Sequence, residues 1–288
     1  MNFKKYLLLL LGLFPLLGLV SCGDPNIDIS SVAYEPKIVV QGYLYPGEPV
    51  HSIRITRNFP LNQALDTASF IIADASVKIN GVPLQFDFAT FSYYTNAITV
   101  AKGQTYNLEV SAVVAGKALH TTATTTVPTE GFKILTKYLG DTLHYGDDIF
   151  LKFLPTATTS IYAFSIRPDS ASVNNFIYDN EFQADIKPED VQKNLNEYRF
   201  QLSFIMNLLP SAVDTVSHPI QDFDTWFYSS YKVIVYAGDQ NFRDFILTAP
   251  NVKEFDGNFH EPKLILKGDG IGVFASAIRD TAYFTIRR

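Results

Sequence analysis

The sequence predicts a mainly β chain of two β-sandwich-like (Ig-like) modules, with one or two short helices in the second. Three observations predict this fold class. Apolar and polar residues alternate along many short segments, turn residues recur at roughly the 8–12-residue spacing of a β-sandwich, and strand-favouring aromatic residues reach 14% of the chain. With 47% apolar and 18% charged residues among 288, the chain can bury a large core.

The first module is predicted over residues 37–128 as about seven short strands. These strand segments are residues 37–45, 50–57, 75–79, 82–88, 91–100, 105–114 and 117–127. Asn80-Gly81 gives the clearest turn between them, because both residue types tolerate the positive φ angles of a tight hairpin. The threonine-rich segment at residues 121–126 is interpreted as a solvated edge strand.

The second module is predicted over residues 129–288, after the turn-forming sequence Pro128-Thr129-Glu130-Gly131. Its strand segments are residues 148–154, 161–167, 198–206 and 232–237, with a final strand pair at residues 263–267 and 272–286. One helix is expected to start at Lys187-Pro188, since proline favours the first helical turn. A second helix is expected after Asp239 as its N-cap.

The first 21 residues are predicted to be a lipoprotein signal peptide. Lys4 and Lys5 precede a 15-residue apolar run, Tyr6–Val20, which is too short for a membrane span of about 20 residues and typical of a secretory segment. The run ends in Leu19-Val20-Ser21-Cys22, which resembles a bacterial lipobox. Cys22 is therefore the predicted lipidation site, where several acyl chains would anchor the protein to a membrane.

Residues 22–36 are predicted to be a polar tether that holds the folded body away from the bilayer. Gly23 follows Cys22 where an inner-membrane lipoprotein commonly has aspartate, so the outer membrane is the predicted location. The sequence leaves open whether the protein faces the periplasm or the cell surface.

Charge and cysteine content exclude several classes of function. The formal net charge of −6 argues against a nucleic-acid-binding protein that relies on a basic face. Cys22 is the only cysteine, which excludes an internal disulfide, a thiol-rich zinc site and a two-thiol redox centre.

Five segments carry a resemblance to a known family: Glu35–Gly42 (EPKIVVQG), Ala75–Ile79 (ASVKI), Gly103–Leu108 (GQTYNL), Asn258–Pro262 (NFHEP) and Gly268–Phe274 (GDGIGVF). With these motifs the chain resembles Bacteroidota outer-membrane lipoproteins of the domain-of-unknown-function family 4249. That family has no established biochemical activity, and its genes tend to accompany TonB-dependent outer-membrane transporters. The resemblance therefore implies an accessory or substrate-capture role beside such a transporter.

No motif predicts an enzyme or a cofactor site. The triplet Gly268-x-Gly270-x-Gly272 precedes strand-like residues rather than the helix that a phosphate-binding loop requires, so a bend or bulge is the preferred interpretation. The five histidines lack metal-ligand spacing. We therefore expect no catalytic residue, cofactor or metal. Two alternatives stay open: the acid-rich residues 179–190 could bind calcium, and the fold could bring two distant carboxylates together as in a glycosidase.

The segment Asp222–Tyr231 is the candidate ligand-binding segment. It holds the only tryptophan and five aromatic residues in ten, and exposed aromatic rings suit stacking on sugars or peptides. The candidate residues are Trp226, Tyr228 and Tyr231. The competing interpretation is that these rings pack in the core of the second module.

The sequence thus favours a non-enzymatic lipoprotein, anchored in the outer membrane, that acts as a binding accessory to a TonB-dependent nutrient transporter. The alternative is a surface structural or adhesion lipoprotein that binds a polymer or a protein partner. Neither hypothesis names the ligand, which is a small molecule or a polymer.

Overall fold

A computed structural model describes residues 34–60, 67–159, 161–180, 182, 185–206, 214–248, 263 and 265–288. The predicted signal peptide, Cys22 and most of the predicted tether lie outside these residues. Pro36–Asn58 and Leu65–Arg288 form one compact unit. Of a second unit, Met1–Glu35 with Phe59–Ala64, the structure describes residues 34–35 and 59–60 only.

The described residues confirm the predicted mainly β fold class. Their strands are β1 (Ile38–Leu44), β2 (Pro49–Arg57), β3 (Ser76–Ile79), β4 (Val82–Pro83), β5 (Gln85–Asp87), β6 (Ser92–Thr99), β7 (Thr105–Val114), β8 (Lys117–Thr126), β9 (Lys133–Ile134), β10 (Tyr138–His144), β11 (Ile149–Leu154), β12 (Ile161–Pro168), β13 (Gln201–Met206), β14 (Val216–Ile220), β15 (Ser230–Gly238), β16 (Lys267–Gly268) and β17 (Gly270–Arg287). Short helices are α1 (Pro188–Lys193), α2 (Leu195–Tyr198) and α3 (Gln240–Thr248).

The strands of the described residues form three sheets. The largest has the order β13-β12-β15-β17-β1-β2-β6-β5, with β10 pairing beside β17. A five-stranded sheet has the order β16-β8-β7-β3-β4, and a three-stranded sheet has the order β14-β11-β9. β17 is central to the largest sheet, because its first half pairs in parallel with β1 and its second half pairs antiparallel with β15.

Residues 38–127, together with Leu266 and Phe274, build one hydrophobic core between two sheets. Alternate side chains of β1 and β2 point inward, among them Ile38, Val40 and Ile53, and they pack with Val77 and Leu108 from the five-stranded sheet. The Asn80-Gly81 turn between β3 and β4 has φ angles of 50° and 79°, as its sequence predicts. This packing of two sheets on one apolar layer is a β-sandwich.

Residues 132–286 build a second core that is rich in aromatic rings. Phe153 of β11 lies 4.9 Å from Tyr162 and 6.0 Å from Phe164 of β12, measured between ring centroids. Tyr231 of β15 stacks on Phe284 of β17 with centroids 4.8 Å apart. The three-stranded sheet and half of the largest sheet thus share a core that contains no disulfide among the described residues.

Each predicted helix start is found in the structure. α1 begins at Pro188, and α3 follows Asp239, whose Oδ1 accepts a hydrogen bond of 2.9 Å from the Phe242 N–H. Phe242, Phe245 and Ile246 of α3 pack in a third apolar cluster with Val273 and Ala275 of β17. The helix therefore covers a face of the largest sheet.

One local prediction was wrong, and another was right for one face of a strand only. The predicted pairing of residues 263–267 with 272–286 is not found among the described residues; β17 pairs with β1, β15 and β10, while β16 pairs with β8. The threonine-rich part of β8 is solvated on one face, where Thr124 and Thr126 are exposed. On the other face Thr121 and Thr125 are buried, because β16 and α3 approach that side of the strand. The predicted module boundaries, 37–128 and 129–288, stay a prediction. Each range has its own core, but β17 of the second range contributes side chains to both cores.

Candidate ligand-binding cleft

A cleft of about 540 Å³ opens where β15, β17 and three connecting segments meet. Its lining residues are Tyr45, Pro46, Glu48, Lys102, Phe132, Lys232, Ile234, Ile278, Arg279, Asp280 and Thr281. The volume falls in the range of about 300–1,000 Å³ that is usual for small-molecule pockets. Because the lining comes from five separate parts of the chain, only the folded protein assembles it.

Backbone hydrogen bonds hold the first two of these segments together. The turn between β1 and β2 contains Gly47, whose φ of +86° suits glycine, and its N–H donates to the Val100 carbonyl over 2.8 Å. The Val100 N–H in turn donates to the Glu48 carbonyl over 2.9 Å. These bonds bring Glu48 to the same edge of the cleft as Lys102, two residues beyond Val100.

Arg279 is held at the rim of the cleft by two neighbours. Its Nη2 lies 2.5 Å from Oε1 of Glu48, and its guanidinium lies 4.2 Å above the centre of the Tyr45 ring. The other carboxylate oxygen of Glu48 lies 2.9 Å from Nε2 of His51. Desolvation raises the pKa of Glu48, but the hydrogen bonds from His51 and Arg279 outweigh it and lower the pKa below its usual value.

Asp280 is the second carboxylate of the cleft and is also paired. It binds the Lys137 ammonium and accepts hydrogen bonds from the N–H groups of Ile134, at 3.0 Å, and Thr281, at 2.8 Å. Desolvation raises the pKa of Asp280, and these hydrogen bonds outweigh it, so the pKa is lowered. Both cleft carboxylates are therefore ionised at neutral pH.

Lys102 and Lys232 complete the charged lining. Both are exposed, and neither has an acidic partner among the residues that the structure describes. The lining thus contains three cationic side chains, those of Lys102, Lys232 and Arg279, and two carboxylates. The carboxylate of Asp280 is already paired with Lys137, which is not part of the lining. The local charge is positive in a chain whose net charge is −6.

The structure places two of the three predicted ligand residues in the core. Trp226 is 8% exposed and stacks on Phe176, with ring centroids 6.0 Å apart. Tyr231 is 1% exposed, and its hydroxyl donates to the Phe227 carbonyl over 2.8 Å. These positions agree with the competing interpretation, in which the aromatic segment packs the second core.

Tyr228 is the predicted residue that remains partly accessible. It lines a cavity of about 410 Å³ together with Asn175, Ser229 and the last four residues of the chain. The Arg288 guanidinium lies 5.7 Å from the centre of its ring. Ligand binding by Tyr228 stays a prediction, and the structure does not bring this residue to the cleft.

Other residues that were weighed in the sequence have separate positions. His218 stacks on Phe164 at 4.1 Å, and burial lowers its pKa. Among the described residues no three histidine, cysteine, aspartate or glutamate side chains come together as a metal site. Part of the acid-rich segment at residues 179–190, like Cys22 and His260, lies outside the described residues.

Sequence reasoning did not find the cleft, because its charged residues are scattered from position 48 to position 280. One signal was available. Arg279-Asp280 places two adjacent charges in a strand, from residue 271 to residue 286, that is otherwise uncharged, and because neighbouring strand residues point to opposite faces, the pair puts a charge on each face of the sheet.

A family model for a domain of unknown function, DUF4249, matches residues 24–269. The chain belongs to this family. The DUF4249 match covers both sandwich cores up to the residue before β17, and it includes the cleft residues from Tyr45 to Ile234. A search of curated proteins found no match.

Similar solved structures share little sequence with this DUF4249 protein. A chimeric titin Z1Z2 carrying an exogenous decorin peptide is 12% identical, with 89% of this chain and all of that chain covered and a TM-score of 0.22. Chicken CNTN1 domains FN1–FN3 are 11% identical, with 89% and 69% covered and a TM-score of 0.23. E. coli alpha-2-macroglobulin is 12% identical, with 91% and 14% covered and a TM-score of 0.22.

A helix that crosses a membrane needs about 20 predominantly apolar residues. None of α1 to α3, nor any other described helix, meets that requirement.

Proposed function

We propose that this DUF4249 protein is a lipid-anchored binding protein of the outer membrane and that the cleft holds its ligand. The observation that carries the binding role is the cleft itself, which combines a small-molecule volume with convergent charged groups and an apolar wall. The anchor rests on the sequence Leu19-Val20-Ser21-Cys22 at the end of the apolar run, with Gly23 favouring the outer membrane.

Binding suits this cleft better than catalysis. A general acid needs a proton to give near neutral pH, and a general base needs a carboxylate that is free to accept one. Glu48 and Asp280 are both held in ion pairs that lower their pKa. We therefore propose a non-enzymatic function that needs no cofactor.

The partner we propose is a TonB-dependent outer-membrane transporter, to which the protein would deliver its ligand. This part of the proposal is supported by the family resemblance. The predicted tether, residues 22–36, spans at most about 50 Å when fully extended, so an acylated Cys22 would hold residue 37 near the membrane surface in which such a partner is embedded.

The second candidate function is adhesion to a polymer or a protein, and exposed aromatic rings favour it. Tyr138 and Tyr283 stack on each other at the surface with centroids 5.8 Å apart, and Tyr138 is 78% exposed. Phe88, at the turn between β5 and β6, is 73% exposed. Such rings are common anchors in protein interfaces.

The anchor is tested with Cys22→Ala, using Ser21→Ala as the matched control that keeps a small residue before the cysteine. We expect wild type and Ser21→Ala to incorporate a fatty-acid label and to remain with the outer membrane after a high-salt wash. Cys22→Ala is expected to lose both properties. If Cys22→Ala is labelled and retained like wild type, lipidation at Cys22 is rejected.

The partner is tested by affinity purification of the full chain from membranes in mild detergent. Copurification of a TonB-dependent transporter, together with loss of growth on one nutrient when the gene is deleted, would support the accessory role. Normal growth with impaired attachment to surfaces would instead support adhesion and contradict the transport role.

A further inference from the structure

The charges of the cleft are unbalanced in a way that indicates the chemistry of its ligand. Glu48 is paired with Arg279 and His51, and Asp280 is paired with Lys137. Each carboxylate of the lining thus already has a cation. Its two lysines have no such partner among the described residues, so the unmet charge in the cleft is positive.

The two lysines approach the cleft from different parts of the fold. Lys102 lies in the connection between β6 and β7, and Lys232 lies in β15 on the same face as Ile234. Because Lys232 is in a strand paired on both sides, with β12 and β17, its backbone position is rigidly determined. Lys102 is placed by the hydrogen bonds of Val100 to the β1–β2 turn.

An apolar wall lies beside these charges. Phe132 and Ile278 are buried side chains that line the cleft, and the half-buried Ile234 lines it from the sheet face that also carries Lys232. Small-molecule sites commonly combine such a wall with a few polar groups that fix the orientation of the ligand. The lining therefore fits a ligand with a charged end and an apolar part.

We propose that the cleft binds a small molecule with an oxyanion group, which Lys102 and Lys232 contact, and with an apolar part against Phe132, Ile234 and Ile278. This inference rests on the proposed binding function and specifies its ligand class. Phosphate, sulfate and carboxylate groups share the required chemistry, since each presents several oxygen acceptors to ammonium donors. Arg279 is already bound to Glu48 and Tyr45, so it shapes the rim of the site.

The test is a calorimetric titration of the full chain in detergent at 50 mM and 300 mM salt. The anionic probes are phenyl phosphate, phenyl sulfate and benzoate, which distinguish the three oxyanions, and benzyl alcohol is the neutral probe of similar size. We expect at least one anion to bind more tightly than benzyl alcohol and to bind less tightly at the higher salt, where charges are screened.

The decisive variant is Lys102→Gln with Lys232→Gln, compared with Lys78→Gln and Lys117→Gln. The control removes the same charge from two exposed lysines outside the cleft. We expect the cleft variant to weaken binding of the preferred anion about tenfold, as the loss of two exposed charge contacts implies, and the control to change it less than about twofold. Unchanged thermal unfolding of both variants would show that folding is intact.

Three results would overturn the proposal: no binding of any anion, equal binding of benzyl alcohol, or an equal loss of affinity in the control variant. The last result would mean that the anion responds to overall charge rather than to the cleft. These results concern ligand chemistry alone, because the Cys22 fractionation and the transporter purification do not depend on either lysine. Failure of the ligand class is therefore distinguishable from failure of the proposed function.

Discussion

Asp224 shows how burial changes the chemistry of a single residue. It lies in a turn of 3-10 helix, Asp222–Asp224, beside the aromatic segment, and its side chain is 4% exposed. Its Oδ2 accepts a hydrogen bond of 3.1 Å from the Gln221 N–H. Burial raises the pKa of Asp224 to about 6, and this one hydrogen bond lowers it by less.

The raised pKa predicts a pH-dependent stability. A carboxyl whose pKa is higher in the folded state contributes stability that is complete below its unfolded pKa and is lost as the pH rises through its folded pKa. Between pH 7.5 and pH 5 the wild type should gain about 1 kcal/mol from Asp224, a gain that Asp224→Asn lacks. Urea unfolding at both pH values measures this difference.

The asparagine in Asp224→Asn would still accept the Gln221 hydrogen bond through its amide oxygen, so the variant removes the charge and keeps the contact. The exposed Asp141, changed to asparagine, is the control, and we expect it to leave the stability difference between the two pH values nearly unchanged. An equal pH effect in wild type and Asp224→Asn would contradict the prediction.

At the scale of elements, the N-terminus of α3 joins three parts of the fold. Asp239 accepts hydrogen bonds from the Phe242 N–H at 2.9 Å, from the Thr125 hydroxyl at 2.5 Å and from the Ser276 N–H at 3.3 Å. Thr125 belongs to β8 and Ser276 to β17. The same carboxylate therefore caps the helix and ties it to two sheets, and burial raises its pKa despite these bonds.

Asp239→Ala is expected to lower the free energy of unfolding by about 2 kcal/mol or more, since it removes a helix cap and leaves buried donors without an acceptor. Asp239→Asn keeps an acceptor oxygen and should cost less. Gln240→Ala, at the exposed first residue of α3, controls for the change of helix sequence. Chemical denaturation measures all three, and a cost for Asp239→Ala no larger than that of Gln240→Ala would disprove the capping role.

At the scale of the whole molecule, β17 connects the two ends of the described chain. Its residues Gly270–Ser276 pair in parallel with Ile38–Leu44 of β1. The glycine triplet in this region allows close approach, because a Cβ on Gly270 would overlap Oγ1 of Thr121 and one on Gly272 would overlap the Val40 carbonyl oxygen. Gly272 also has a φ of +110°, which favours glycine.

Gly272→Ala is therefore predicted to destabilise the pairing of β1 with β17. The matched control is Gly116→Ala, where φ is +77° and no atom lies within 4 Å of the added Cβ. The control should cost about 1 kcal/mol for its backbone conformation alone, whereas Gly272→Ala should cost at least about 3 kcal/mol because the backbone of β1 must move. Thermal unfolding compares the two, and similar costs would show that close approach at Gly272 is unimportant.

Local sequence was enough to predict the elements whose causes are local. Asn80-Gly81 supplies two residues that tolerate positive φ, Pro188 suits a first helical turn, and Asp239 supplies an N-cap oxygen. Period-two alternation predicted most strands of residues 38–126 to within a residue or two, since one face of each strand must be apolar. These features depend on residues within a few positions of each other.

The sequence by itself thus determined the mainly β class, the turns, the helix starts and the family motifs. Only the tertiary structure decided that β17 pairs with β1 and β15, that Trp226 and Tyr231 are core residues, and that Lys102 and Lys232 line one cleft. The physical reason is that strand pairing, burial and ion pairing depend on which distant surfaces meet. An aromatic or charged side chain looks the same in the sequence whether a sheet covers it or leaves it in solvent.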